Sequence, residues 1–170
     1  MKAVISIIKA IDKTTETVGK LASFLIPMMT ILQFSEVILR YVLGKPTAWS
    51  WEIAAYMFGA NFIIAGAWAL KEGKHVRTDI VFGKLSPKWK AILDIVTFST
   101  VFVVFAVIMT IKTTSHALFS LSLAEESYTM NAIPIYPLKV IVAISFILLL
   151  LQGLAKIARD IIFLVEGENI

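Results

Sequence analysis

Four apolar runs decide what this chain can fold into: residues 21–39, 51–70, 91–111 and 138–155. Each is close to the roughly 20 residues that a helix needs to cross a hydrocarbon core at about 1.5 Å per residue. Only 16% of the 170 residues are charged and the mean hydropathy is +0.84. A water-soluble domain carries about a quarter charged residues, so these charges are too few to clothe a globule. The expected fold is an all-α membrane protein, a single four-helix transmembrane domain over residues 1–170.

Lysine and arginine orient it. Lys2, Lys9, Lys13, Lys20, Lys71, Lys74, Arg77, Lys84, Lys88, Lys90, Lys156 and Arg159 fall on one side of the spans, whereas Arg40, Lys45, Lys112 and Lys139 fall on the other. The richer side is the cytoplasmic one. Both termini and the middle loop are therefore expected in the cytoplasm, with the loops around Lys45 and Glu125–Glu126 outside. The net charge of +4 sits beside apolar spans, which favours anionic lipid headgroups over nucleic acid as the neighbour.

Two further segments read as membrane-associated. Within residues 1–20, Val4, Ile8 and Ile11 recur at helical spacing opposite Lys9, Asp12, Lys13 and Glu16, the pattern of an amphipathic interfacial helix. No cleavable signal peptide is expected, because Lys9 interrupts the first apolar stretch. The middle loop, residues 71–90, mixes Val76, Ile80, Val81, Phe82 and Leu85 with its basic residues and is expected to lie along the cytoplasmic surface. Ser86-Pro87 offers an N-cap and a first-turn proline for the third span, and Pro27 is expected to kink the first.

The absence of cysteine removes disulfides and thiolate metal sites. The two histidines, His75 and His116, lie outside the apolar runs, so no haem bundle forms. No metal, cofactor or catalytic residue is expected. Ionisable groups within spans remain the functional candidates. Glu36 and Arg40, four apart, share a helix face: either they form a structural ion pair or Glu36 is a coupling carboxylate. Glu52 lies in the first turn of its helix, at the positive dipole end, with Trp49 and Trp51 as an aromatic belt. Asp94 begins its helix in the same way. Ala55, Gly59 and Gly66 form a narrow small-residue face, a packing seam within the bundle or against a partner. His75, Arg77 and Asp79 alternate along the middle loop and are expected to pin it to headgroups or helix ends.

Several of these residues belong to an ordered set: Phe34-x-x-Val37-x-x-Arg40-Tyr41, Gly44-x-Pro46-x-x-Trp49-x-x-Glu52, Ala65-Gly66-Ala67 and Gly73-x-His75-Val76-Arg77-x-Asp79. The set resembles the small membrane (Q-type, DctQ-like) subunit of tripartite ATP-independent periplasmic (TRAP) transporters. The outer stretch Thr129-x-x-Ala132-Ile133-Pro134-x-Tyr136 matches more loosely, lacking the family's Ser-Pro start and a further proline-glycine. The resemblance implies a non-enzymatic subunit of the bacterial inner membrane. Its partners would be a large permease subunit and a periplasmic solute-binding protein that together import a small organic acid on an ion gradient. No direct substrate site is expected, since the chain has no broken helix pair or inverted repeat. The alternative is a stand-alone oligomeric exporter that uses Glu36 to exchange protons; Arg40, one turn away, would hold that carboxylate ionised and repel cations.

Overall fold

The computed structural model describes residues 2–74 and 86–167, most of which are helical. Four stretches are long and apolar enough to cross a membrane: Ala3–Tyr41, Ser50–Lys71, Pro87–Ser122 and Tyr136–Glu166. The middle-loop expectation falls mostly on residues 75–85, outside the described part.

The first stretch is two helices, α1 (Lys2–Ser23) and α2 (Leu25–Tyr41). Pro27 explains the break. It has no N–H for the carbonyl of Ser23, and its ring crowds that carbonyl. The chain makes a tighter turn there, Phe24 N–H donating to the Leu21 carbonyl at 3.2 Å, and regains helical pairing with Met28 N–H to Phe24 at 3.3 Å.

Ile8, Thr15 and Ala22 of α1 are buried at seven-residue spacing, so one stripe faces the bundle. Gly19 lies on that stripe under the Trp68 ring, where an added Cβ would stand 2.8 Å from ring carbon. Helix α3 (Ser50–Lys71) supplies that tryptophan. The third stretch comprises α4 (Pro87–Thr97), a π-helical turn over Phe98–Phe102, and α5 (Val103–Ser122). The rings of Phe98 and Phe102 approach to 4.9 Å within that turn.

Helix α6 (Tyr136–Glu166) is the central element, packing against α1, α3, α4 and α5. At about 1.5 Å per residue its 31 residues outrun a hydrocarbon core of about 30 Å. It ends at Gly167, whose φ of +75° suits glycine.

Most of the interior side chains are small. Ala54, Ala60, Ala67, Ala106, Ala117, Ala143, Ala155, Ser120 and Ser145 are buried, while Phe, Leu, Ile and Val side chains crowd the outside. In lipid there is no hydrophobic drive between helices, so close backbone approach and dispersion contacts hold them together. Polar contacts lock the end that carries Lys71 and Arg159. Buried Gln152 accepts from Thr15 at 3.1 Å and donates to Asp12 at 2.9 Å. Arg159 also pairs with Asp12, Lys71 pairs with Glu16 at 2.6 Å, and Lys156 bridges Asp94 at 2.5 Å and Asp160 at 2.7 Å. These contacts fasten α1 and α4 to α3 and α6.

Gly153 tests the small-residue packing. A Cβ there would overlap the Phe102 ring. Gly153→Ala is expected to lower the unfolding free energy in detergent by about 1–3 kcal/mol, and to cost much less when made in a Phe102→Ala background. Equal losses in both backgrounds would show that Phe102 is not the obstacle.

Candidate functional site

Both loops at the opposite end, residues 42–49 and 123–135, are pinned by buried carboxylates. Glu36, one turn from the end of α2, is 7% exposed. Arg40 donates to its Oε1 from Nε at 3.0 Å and from Nη2 at 2.5 Å. Thr47 donates to Oε2 from its backbone N–H at 3.1 Å and also from its hydroxyl. One carboxylate thus ties the end of α2 to the loop at 42–49. Gly44, at φ +63°, turns the chain so that Lys45 N–H returns to the Leu39 carbonyl at 2.8 Å.

Glu52 does the same work for the second loop, residues 123–135. It is 8% exposed in the first turn of α3. Tyr56 donates to Oε1 at 2.8 Å, and Thr129, 77 residues further along, donates to Oε2 at 2.7 Å. Ser127 and Thr129 hydroxyls stand 2.9 Å apart. The loop braces itself through Ser127 N–H to the Ile133 carbonyl at 2.8 Å, Ile135 N–H to Glu125 at 3.0 Å and an isolated bridge between Glu126 and Pro134. Glu125 pairs with Lys139 at the start of α6. Ala124 and Ala132 both sit at φ +46°, a left-handed backbone costing an L-residue about 1–2 kcal/mol. The anchors hold that geometry and leave Tyr128 and Met130 at the tip fully exposed.

The small-residue face divides in two. Ala60 and Ala67 share a buried face of α3, and Ala54, about 120° round the helix, is buried beside α2. Ala55 is exposed, and a Cβ added to Gly59 or Gly66 would meet nothing within 4 Å. The face singled out from sequence is therefore unused among the described residues. Trp51 is 76% exposed and Trp49 42%, free to meet headgroups. His75, Arg77 and Asp79 lie outside the described residues. Among the described residues no three His, Cys, Asp or Glu side chains gather as a metal site.

Sequence reasoning found Glu36, Arg40 and Glu52 but not Thr47, Tyr56 and Thr129, their hydrogen-bond donors. Tyr56, four residues after Glu52, was within reach of a helix-spacing argument. Thr129 carried no local signal.

Two outcomes follow for the long loop. Thr129→Val removes a hydrogen bond to a charged acceptor, about 1.5–3 kcal/mol. Amide exchange at Ser127 and Ile135 is expected to quicken by about tenfold or more, and an unchanged rate would contradict the anchor. Lys139 holds the Glu125 carboxyl below its ordinary value of 4.5. A depressed carboxyl stabilises fully above its unfolded pKa and loses that contribution as pH falls through the folded one. Loop protection is accordingly expected to drop below about pH 4.5, and Lys139→Gln to flatten that dependence.

Compared with known families, residues 29–162 match the family described as tripartite ATP-independent periplasmic transporters, DctQ component. No curated protein matches the chain. The matched region takes in both carboxylate anchors, both loops that they hold and all of α3, α4 and α5. The chain belongs to the DctQ family, the small membrane component of TRAP transporters.

Proposed function

We propose that this chain is a scaffold and docking subunit that moves no solute itself. It would hold the large membrane subunit in the bilayer and offer its outer loops to a periplasmic solute-binding protein during ion-gradient-driven uptake of a small organic acid. Placement in a bacterial inner membrane with both termini cytoplasmic belongs to the same reading. The observation that carries it is the state of Glu36: its two oxygens take Arg40 and Thr47 donors, which suits a loop anchor. A proton-exchanging carboxylate needs access and a neutral form, so the exporter reading is disfavoured. In this reading Glu36, Arg40 and Glu52 shape the docking face, Trp49 sets its depth, and Ala55, Gly59 and Gly66 meet the large subunit. His75, Arg77 and Asp79 would fasten the middle loop to headgroups or helix ends.

Tyr128 and Met130 give the docking role its most exposed contacts, as aromatic and methionine side chains are enriched where proteins meet. Tyr128→Ala with Met130→Ala is expected to cut uptake by the reconstituted transporter about tenfold or more at limiting binding protein, the scale of a contact hot spot. Membrane abundance and co-purification with the large subunit should stay at wild-type levels. Full uptake by that variant would remove this loop from the docking face. Transport of a cation by the chain alone, lost on Glu36→Gln, would restore the exporter. Orientation is read separately: reporters after residue 170 and within residues 71–90 should stay cytoplasmic, and those at Lys45 and Glu126 should be exported.

A further inference from the structure

Two amides inside the membrane region have no hydrogen-bond partner among the described residues: Gln33 on α2 and Asn61 on α3. Gln33 lies eight residues before Tyr41, about 12 Å along the helix, so it cannot reach water at the end of α2. Its side chain lines an open groove of about 270 Å³ between α2 and α3, with Met29, Trp51, Ala54, Ala55 and Phe58 as the other walls. Asn61 stands seven residues after Ala54, hence on the same face of α3 and two turns deeper. Neither amide is deeply buried within this chain.

We infer that this groove receives a transmembrane helix of the large membrane subunit, which hydrogen-bonds Gln33 and Asn61; the inference rests on the scaffold reading above. An acyl chain fills an apolar groove but offers no donor or acceptor, so lipid would leave both amides unsatisfied at depth. A helix can carry a Ser, Thr, Asn or Gln to that level, and such contacts are how helices recognise each other in lipid. One wall suits close approach: Ala55 is exposed, and beside the groove, one turn on, Gly59 has open space where a side chain would be. The groove has no charged lining residue, so the incoming helix is expected to be uncharged there.

The test uses the complete transporter complex. A photo-crosslinking residue replaces Phe58, leaving both amides intact, and a second variant carries it at Phe105, which is also exposed but on α5. The expected result is an adduct with the large subunit from position 58 and none from 105. Gln33→Leu with Asn61→Leu should then shorten the lifetime of the complex in mild detergent about three- to tenfold. Since neither amide has a partner among the described residues, membrane abundance of the variant should be unchanged. An adduct between two copies of this chain overturns the inference in favour of self-association. A co-purified large subunit that never crosslinks at position 58 overturns the inference and leaves the scaffold reading standing. Failure to co-purify at all overturns both.

Discussion

A carboxylate beneath a membrane surface must find its hydrogen-bond donors within protein, because lipid supplies none. Glu36 and Glu52 meet that constraint by drawing donors from loops that the apolar spans alone would leave loose. The same desolvation that makes a lone carboxylate costly makes a satisfied one a strong fastener. Each therefore converts a connection between helices into a shaped surface. The strained alanines at 124 and 132 are tolerable only because the loop around them is held at Glu52 and at Lys139.

The other end of the bundle answers the same constraint with pairs and a bridge. Lys156 joins two aspartates, Arg159 takes Asp12, and Gln152 sits between Asp12 and Thr15. Between these polar ends the packing rests on alanine, serine and glycine, with large side chains turned outward. A helix such as α3 then has two small-residue faces. One meets α6 and its neighbours, and the other is left open by the described residues.

Much of this was legible in the sequence. Four spans follow from hydropathy because lipid selects on length and apolarity alone, and Pro27 marks its break because a missing N–H acts locally. The pairing of Glu36 with Arg40 follows from a four-residue spacing. Contacts between distant segments were not legible. Thr47 and Thr129 look like ordinary loop threonines until the fold brings them to a carboxylate. Asp12 reads as part of the polar face of an amphipathic helix, yet it is shared by Gln152 and Arg159. Neighbouring positions on α3 differ by about 100° in direction, so Ala54 and Ala55 are alike in sequence while only one is buried. Composition cannot decide which small face a bundle uses; packing does.

In the proposed role the membrane carboxylates of this subunit are structural, and coupling to the ion gradient lies elsewhere. The most direct measurement is the reversal potential of substrate uptake by the complete transporter in liposomes, which reports the charge moved per substrate independently of rate. With Glu36→Gln in the small subunit, uptake is expected at a lower rate with the wild-type reversal potential. A shifted reversal potential would show that Glu36 carries part of the coupling and is not merely structural.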